Sequence, residues 1–314
     1  MNTQMLKKPD ISFYKGQIIT GKWHKKTYHV VRKLGSGAIG TVYLCVCNNV
    51  QVALKVSKQS HSITSEVNVL KVLKKVQGHR LGPSLIDVDD YVHRNGYVYS
   101  FYVMEYISGE PLSQFVNRHG EEWLYSLLVG FLKDLQALHN EGYIFGDLKM
   151  ENLIVSRKPA RLRWVDVGGT TLVGRSIKEY TEFYDRAYWQ AGTRKADPGY
   201  DLFALAMVVL RIYYPQGFER GNNPKKTLMQ KTSMAIKHTG IRQLINKMLN
   251  GEMIEADIVK NELIYYTMKQ NRSRTQQVNT KQHTRHDSVV YPMMEVLSIL
   301  SISGLCYLYV AIFM

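Results

Sequence analysis

The chain has 314 residues, of which 45% are hydrophobic and 21% are charged, a composition that indicates a globular protein and excludes a wholly disordered one. The 41 Lys and Arg residues exceed the 26 Asp and Glu residues and give a formal net charge of +15. This charge favours anionic partners such as nucleic acid, acidic lipid or phosphorylated substrates, with a basic surface that serves only solubility as the alternative. The 3 cysteines form no CxxC pair, which indicates a reducing compartment, and Cys45 and Cys47 are expected to pack within a strand rather than to bind metal.

The first 24 residues are polar and lack an apolar stretch of signal-peptide length, so we interpret residues 1–24 as an N-terminal leader. Residues 25–268 contain no linker and no repeat, which predicts one domain. Alternating or β-branched runs predict strands in its first part, and apolar residues at helical spacing predict helices. The predicted strands are 28–34, 40–47, 51–56, 84–92 and 97–106, and the predicted helices are 63–76, 123–139, 202–213, 241–249 and 254–266.

A glycine-rich segment follows the first long strand. Gly35, Gly37, Gly40 and Val42 fit the pattern GxGxxGxV. In a dinucleotide-binding fold such glycines open a helix, whereas these lie between two predicted strands, as in a hairpin that folds over the phosphates of ATP. An ordinary glycine-bearing hairpin is the alternative until the next motif is considered.

Lys55 lies on the next predicted strand, within the sequence Val-Ala-Leu-Lys, fifteen residues after Gly40. A lysine directed at the α- and β-phosphates of ATP needs an acidic partner. Glu66 suits this role because it lies on the predicted helix and is the only Glu between Lys55 and Met104. The glycine loop and this pair together are far more specific than either alone.

A catalytic segment follows in the second part of the domain. Asp147-Leu-Lys149-Met-Glu-Asn152 has the spacing of a kinase catalytic loop, and Asp166-Val-Gly comes fourteen residues after Asn152. With the earlier motifs, this order resembles the Hanks-type (eukaryotic-like) bacterial serine/threonine protein kinases. The resemblance covers residues 28–268 and implies a two-lobed α+β fold, with a small β-rich N-lobe and a larger helical C-lobe.

The resemblance also implies a role for each motif in phosphoryl transfer from ATP with Mg²⁺. Asp147 would accept the proton of the substrate hydroxyl, Lys149 would stabilise the γ-phosphate, and Asn152 and Asp166 would hold Mg²⁺. The implied ATP contacts are Leu34, Gly35, Gly37, Gly40, Val42, Ala53, Lys55, Met104, Glu105, Ile107 and Ile154. The residues expected to support the catalytic loop and join the lobes are Leu70, Phe145, Val167 and Asp201.

Two features of the family are missing. The Arg of the usual His-Arg-Asp is Gly146, so activity should not depend on a charge pair between that Arg and an activation-segment phosphate. The Ala-Pro-Glu that ends the segment is replaced, in the nearest equivalent, by Ala187-Tyr-Trp189. The usual ion pair of its Glu cannot form, which leaves substrate docking open. The autophosphorylation candidates are Thr170, Thr171, Ser176 and Thr181, with unmodified hydroxyls as the alternative.

The end of the chain has a different character. Residues 269–290 are polar and basic and predict a disordered cytoplasmic juxtamembrane linker. The 19 residues from Val296 to Met314 carry no charge and would form about 28 Å of helix, close to the bilayer hydrocarbon thickness of about 30 Å. We predict a transmembrane helix over 291–314, with a buried core helix as the alternative. Positive residues before it predict a single-pass cell-membrane protein whose kinase domain, residues 25–268, is cytoplasmic.

This architecture and the Gly-Asp-Leu-Lys loop are similar to the YabT-like membrane-anchored kinases of spore-forming Bacilli. That resemblance implies a role in sporulation or the DNA-damage response, with DNA as an activating ligand. The linker charges would bind DNA phosphates or anionic lipid, or would only set the topology. These charges are Lys269, Arg272, Arg274, Lys281 and Arg285.

Two alternative functions stay open at this point. One is a small-molecule kinase of the same fold, against which Lys149 argues. The other is a pseudokinase that scaffolds partners, against which the complete set of motifs argues. The sequence identifies neither the protein substrate nor the oligomeric state, and a dimer is one possibility.

Overall fold

The computed structural model describes residues 9–37, 40–75, 82–157 and 159–269. The chain divides into two compact units, Met1–Leu263 and Ile264–Met314. Within the second unit, the described residues 264–269 are helical. The predicted transmembrane helix 291–314 and the predicted linker beyond Lys269 lie outside the described residues.

The N-terminal part of the first unit, here called the N-lobe, is an antiparallel sheet of six strands in the spatial order β1-β2-β3-β4-β6-β5. The strands are β1 (Ile18–Thr20), β2 (Thr27–Ser36), β3 (Thr41–Cys47), β4 (Val50–Ser57), β5 (Leu85–Val92) and β6 (Val98–Glu105). The five predicted strands are confirmed, and β1 was not predicted. Because side chains alternate across a strand, Tyr43 and Cys45 share the buried face of β3 and pack with Tyr28 and Phe101.

The cysteines of β3 serve packing, as predicted. Cys45 is buried, Cys47 is half-buried, and both thiols are free. Across the described residues, no group of three or more His, Cys, Asp or Glu side chains is arranged to hold a metal ion by itself.

The segment before β2 belongs to the N-lobe, which corrects the prediction of a leader over 1–24 for its described part, residues 9–24. Phe13 and Ile19 are buried in the core of the sheet. The strand β1 pairs with β2 and extends the sheet by one strand. Since burial of a large apolar side chain contributes about 1.5–3 kcal/mol, these residues stabilise the lobe.

Two acidic side chains of β5 hold this segment in place. Asp89 accepts hydrogen bonds from the backbone N–H groups of Trp23 and His24 at 2.9 and 2.8 Å. Asp87 accepts a hydrogen bond from the hydroxyl of Tyr28 at 2.6 Å and lies 2.7 Å from the ring of His24. Burial by itself would raise the pKa of Asp89, but the backbone donors outweigh burial and hold the pKa below its ordinary value.

The helix α1 (Ser60–Lys75) packs against β4, β5 and β6. Its apolar residues at helical spacing, Ile63, Val67, Leu70 and Leu73, are all buried, as the sequence predicted. Glu66 lies on the same helix and is 3% exposed. This packing therefore carries an acidic side chain into the interior beside β4.

The remainder of the first unit, here called the C-lobe, is mainly helical. Its helices are α2 (Leu112–His119), α3 (Glu121–Asn140), α4 (Pro198–Tyr213), α5 (Pro224–Ala235) and α6 (Thr239–Leu249), followed by helical residues 256–263. Two small sheets have the orders β10-β9-β7 and β11-β8. Their strands are β7 (Gly109–Pro111), β8 (Tyr143–Ile144), β9 (Leu153–Arg157), β10 (Ala160–Trp164) and β11 (Thr171–Leu172).

The helix α4 forms the centre of the C-lobe. It begins with Pro198, and the side chain of Asp197 caps it by accepting a hydrogen bond from the backbone N–H of Tyr200. Every residue from Gly199 to Leu210 is buried. A helix that is apolar on all sides must be enclosed by its own domain or by lipid. Within the described part of the chain, no helix combines the length and apolar character needed to cross a bilayer.

Replacing Asp89 by Ala should destabilise the N-lobe. The change leaves the backbone donors of Trp23 and His24 without their buried acceptor, which costs on the order of 2 kcal/mol. We expect the midpoint of thermal unfolding of the full-length chain to fall by about 4–8 °C at pH 7. Differential scanning calorimetry measures this shift, with the exposed Glu141→Ala as the matched control.

The same variant has a defined pH dependence. Because the pKa of Asp89 is lower in the folded state, its stabilisation is complete above the unfolded pKa and is lost as pH falls through the folded one. The difference between wild type and Asp89→Ala should shrink below about pH 4. A difference that stays constant down to pH 3, or that is absent at pH 7, would contradict the role of this carboxylate.

Candidate active site

The glycine-rich segment forms the turn between β2 and β3. Gly35 pairs with Val42 across the two strands, and the backbone N–H of Gly37 donates to the carbonyl of Gly40 at 3.0 Å. A Cβ atom on Gly40 would overlap the carbonyl oxygen of Val56, so glycine allows β3 to approach β4 closely here. The hairpin predicted from the sequence is confirmed, with residues 38 and 39 outside the described part.

The residues predicted to contact adenine lie on β3, β4, β6 and β9 and in the segment that follows β6. Ala53 pairs with Met104 between β4 and β6, and both are buried. Val42 on β3 and Ile154 on β9 are half-buried. Ile107 follows β6, and its backbone makes no hydrogen bond to any other described residue. The structure thus leaves backbone groups free at the position predicted to meet adenine, and Leu34 is half-buried near the start of the turn.

An ion-pair group joins Lys55, the predicted phosphate-binding lysine, to Glu66 on α1 and to Asp166, a predicted Mg²⁺ ligand. Lys55 Nζ lies 2.7 Å from Glu66 Oε2 and 3.3 Å from Asp166 Oδ1. Burial by itself would lower the pKa of Lys55, but the charges of Asp166 and Glu66 outweigh burial, and the net direction is a raised pKa. Burial would likewise raise the pKa of Asp166, but Lys55 and the backbone N–H of Gly168 hold it below its ordinary value.

Tyr102 is a member of this group that the sequence analysis missed. Its hydroxyl donates to Glu66 Oε2 at 2.6 Å, and burial beside Glu66 raises the pKa of Tyr102 well above its ordinary value. Tyr102 pairs with Lys55 across β4 and β6. The register between β4 and β6 would have identified Tyr102, but the sequence alone does not give that register. Glu66 Oε1 is buried without a hydrogen-bond partner among the described residues.

The catalytic segment brings three predicted residues into direct contact. Lys149 Nζ lies 2.6 Å from Asp147 Oδ2. The side-chain amide of Asn152 donates to the Asp147 carbonyl at 2.9 Å and to Asp147 Oδ2 at 3.1 Å. Burial raises the pKa of Asp147, and the Lys149 ammonium only partly offsets it. A carboxylate with a raised pKa beside a lysine is suited to accept a proton from a hydroxyl.

Asp201 holds the backbone of this segment from α4. It accepts hydrogen bonds from the backbone N–H groups of Phe145 and Gly146 at 2.8 and 2.9 Å. His139 Nε2 lies 2.9 Å from the same carboxylate. All three partners approach a side chain that is fully buried. The anchoring expected from the sequence is therefore present, and His139 was missed. Leu70, Phe145 and Val167, predicted to join the lobes, are each buried.

The glycine that replaces the usual Arg has a structural reason. Gly146 has a φ of +78°, and a Cβ atom there would lie 2.6 Å from the Gly169 carbonyl oxygen. A Cβ on Gly169 would in turn lie 2.5 Å from Asp147 Cβ. Any side chain at either position would therefore push the catalytic segment away from residues 168–169. The backbones pack directly at the place where other members of the family carry a charged side chain.

The predicted phosphorylation candidates occupy different places in the activation segment, defined here as residues 166–197. Thr171 lies on β11, whose partner β8 precedes the catalytic segment. Thr170, Thr171 and Ser176 line a cavity of about 480 Å³ between α1 and the segment. Thr181 is exposed. The side-chain oxygen of Thr170 is buried without a partner among the described residues.

A third missed contact fixes the chain after β6. Arg163 on β10 lies 2.6 Å from Glu105 Oε1 and donates to the Gly82 carbonyl at 2.5 Å. Burial would raise the pKa of Glu105, but the hydrogen bond from Arg163 holds it below its ordinary value. This pair joins the last residue of β6 in the N-lobe to a C-lobe strand.

The predicted linker contacts are largely outside the described chain. Lys269 is the last described residue and is exposed. Arg272, Arg274, Lys281 and Arg285 lie beyond it, so their use stays a prediction.

Comparison with known proteins agrees with this geometry. A model of the protein kinase domain matches residues 28–287. The serine/threonine-protein kinase YabT of Bacillus subtilis is 47% identical over 253 residues, which cover 79% of this chain and 74% of that protein. The sporulation protein kinase mde3 of Schizosaccharomyces pombe is 28% identical over 221 residues, 62% of this chain but only 39% of that protein.

Solved structures show the same fold. Vaccinia related kinase 3 superposes with a TM-score of 0.61 at 16% identity, covering 83% of this chain and 93% of that one. The granulovirus kinase PK-1 of Cydia pomonella gives a TM-score of 0.58 at 22% identity, covering 76% and 93%. With the family match and the YabT likeness, the chain belongs to the protein kinase family, in which it is a YabT-like serine/threonine kinase of the Hanks type.

Proposed function

We propose that this kinase transfers the γ-phosphate of Mg-ATP to Ser and Thr hydroxyls of proteins, its own included, with Asp147 as the proton acceptor. The observation that carries the proposal is the assembled contact of Asp147 with Lys149 and Asn152 beside the Lys55, Glu66 and Asp166 group. Phosphoryl transfer depends on positioning and charge neutralisation more than on covalent chemistry. The side chains that contact one another in this fold supply both the positioning and the charge neutralisation.

ATP supplies the transferable phosphoryl group, and the residues of the chain position it. Val42, Ala53 and Ile154 would sandwich adenine. The backbone of Ile107 would bind its edge together with the carbonyl of Glu105, whose N–H already donates to the Ser84 carbonyl. The glycine turn covers the phosphates, and Lys55, held by Glu66, neutralises the α- and β-phosphates. Met104 closes the back of the adenine site, where its side chain is 5% exposed.

Asp166 and Asn152 fit a role as Mg²⁺ ligands. The amide nitrogen of Asn152 is engaged by Asp147, which leaves its side-chain oxygen as the group available to a cation. The Asp166 side chain is 43% exposed, and its lowered pKa keeps it ionised. Oxygen ligands are those that Mg²⁺ prefers, and ATP phosphates and water complete such sites. Two protein ligands therefore suffice.

The transfer step uses Asp147 and Lys149 together. As the substrate hydroxyl attacks the γ-phosphorus, Asp147 takes its proton and ADP leaves. Lys149, already 2.6 Å from Asp147, stabilises the charge on the transferred group. No specific contact among the described residues favours either alternative function, a small-molecule kinase or a pseudokinase scaffold. Lys149, which argues against a small-molecule kinase, contacts Asp147.

The Asp147→Asn variant should lose phosphoryl transfer. It keeps the shape of the side chain but removes the proton acceptor, which lowers kcat by about 10²–10⁴-fold. Incorporation of labelled phosphate from Mg-ATP into the full-length chain measures the loss. The exposed Glu255→Gln serves as the matched control and should retain wild-type activity. Undiminished incorporation in Asp147→Asn would overturn the mechanism.

We further propose that residues 291–314 anchor the kinase in the cell membrane, with residues 25–268 in the cytoplasm and residues 269–290 as a linker between them. The support is the uncharged run 296–314 and the positive residues before it. The linker binds DNA phosphates, and DNA binding regulates the kinase during sporulation or DNA damage. Support for this regulation is the YabT likeness and the linker charge.

Binding of DNA through the linker should depend steeply on salt. Each neutralised phosphate contributes about −0.9 to the slope of log affinity against log salt for duplex DNA. We expect the slope to become shallower when Arg272, Arg274, Lys281 and Arg285 are all changed to Gln in the full-length chain. Fluorescence anisotropy with labelled duplex DNA measures it. Vesicles of anionic lipid form the comparison arm, and an unchanged slope with DNA would reject the linker as the DNA site.

A further inference from the structure

An ion pair between Asp185 and Arg194 holds the end of the activation segment. The usual ion pair of this segment, made by the Glu of Ala-Pro-Glu, is missing from this chain. The carboxylate of Asp185 is fully buried. Arg194 donates to Asp185 Oδ2 through Nε at 2.9 Å and a terminal nitrogen at 2.7 Å. Two nitrogens on one oxygen form a charge-assisted contact that is stronger than a neutral hydrogen bond. This pair spans nine residues, so it closes the segment on itself.

Three further donors bind the side chain of Asp185. It accepts hydrogen bonds from the backbone N–H groups of Ala187 and Tyr188, each at 3.2 Å, and from the Tyr200 hydroxyl at 3.1 Å. A buried carboxylate is tolerated only when paired and hydrogen-bonded. Tyr200 directly precedes Asp201 on α4. Tyr200 therefore holds the activation segment, and its neighbour Asp201 holds the catalytic loop.

Arg194 extends this support along the segment. Its guanidinium lies 3.7 Å from the ring centroid of Tyr180, a distance typical of cation–π contact. Its carbonyl accepts a hydrogen bond from the backbone N–H of Ile177 at 2.8 Å. Ile177 is buried in a cluster with Ile144 and Tyr200. Arg194 thus contacts Ile177, Tyr180 and Asp185 and joins the two sides of the loop formed by residues 177–194.

The held loop contacts the catalytic segment directly. The hydroxyl of Tyr184, the neighbour of Asp185, accepts a hydrogen bond from the backbone N–H of Met150 at 3.4 Å. Met150 lies between Lys149 and Asn152, two residues of the active site. Displacement of Asp185 would therefore move the backbone beside Lys149 and Asn152, where we expect a protein substrate to dock. Among the described residues, the side-chain contacts of Asp185 and Arg194 involve none of the strands β3, β4 and β6.

We infer that Asp185 and Arg194 are positioning residues that hold the protein-substrate docking surface, in place of the Glu–Arg pair that the sequence lacks. The inference rests on the proposed function, since it concerns the second substrate of the same reaction. It predicts a selective effect: loss of the pair weakens use of the protein substrate and leaves use of ATP unchanged.

The test compares Arg194→Met, Arg194→Lys and Lys195→Met in the full-length chain, with dephosphorylated casein as the protein substrate. We expect Arg194→Met to raise the KM for casein about tenfold or more, with the KM for ATP within about twofold of wild type. Arg194→Lys keeps the charge and should recover part of the loss. Lys195→Met removes an exposed neighbouring charge and should behave as wild type.

Two further measurements keep the inference testable if Arg194→Met unfolds. Tyr200→Phe removes one donor to Asp185 and should shift the casein KM in the same direction by a few fold. Amide hydrogen exchange of residues 177–189 should quicken in Arg194→Lys relative to wild type. Equal changes in the casein and ATP KM values, or no change in casein KM, would overturn the inference. Absence of any transfer by wild type would instead overturn the proposed function, and the exchange result would then decide the positioning role alone.

Discussion

The buried carboxylate of Asp201 is the constraint on which the active site depends. It has no exposed surface and lies in the first turn of a helix enclosed by the C-lobe. Burying a charge is costly unless hydrogen bonds compensate, and the compensation comes from the backbone of Phe145 and Gly146 and from His139. The position of Asp147 follows directly, because its backbone continues from these two donors.

Tyr200, the residue before Asp201, extends the same constraint to the activation segment. Tyr200 bonds Asp185, and Asp185 bonds Arg194. On the other side, Gly146 and Gly169 allow the two backbones to touch. Where the usual Arg is absent, the backbones at Gly146 and Gly169 pack directly. Where the usual Glu is absent, we infer that the local ion pair of Asp185 and Arg194 holds the segment.

The residues predicted to bind nucleotide were identified from local spacings in the sequence. The glycines, Lys55, Asp147 and Asn152 each come from a motif in which interval and residue type are fixed by the chemistry, and Glu66 is the only Glu between Lys55 and Met104. The contacts that hold them were not predictable in this way. Tyr102 meets Glu66 across 36 residues, and Asp89 binds Trp23 across 66, so these pairings depend on the register and topology of the sheet.

The sequence analysis also missed the structure of residues 9–24 and the helix α5, because neither has a clear local pattern. Residues 9–24 read as a polar leader because their few apolar side chains do not follow a strand or helix period, although Phe13 and Ile19 are buried. The helix α5 buries only Pro224, Leu228 and Thr232, too few for a clear helical pattern. By contrast, α4 was evident because its residues 202–210 are all apolar. Predictions beyond Lys269 rest on composition alone.

The most direct measurement is the single-turnover rate of phosphoryl transfer in Asp201→Asn at saturating Mg-ATP. In Asp201→Asn the amide nitrogen replaces one carboxylate oxygen and cannot accept a hydrogen bond, so one of the backbone N–H groups of Phe145 and Gly146 loses its acceptor and the catalytic loop should shift. We predict a fall of about 10²-fold, since displacements of about 1 Å cost that much, with ATP affinity and the folded state preserved. A wild-type rate in a folded Asp201→Asn would contradict the account.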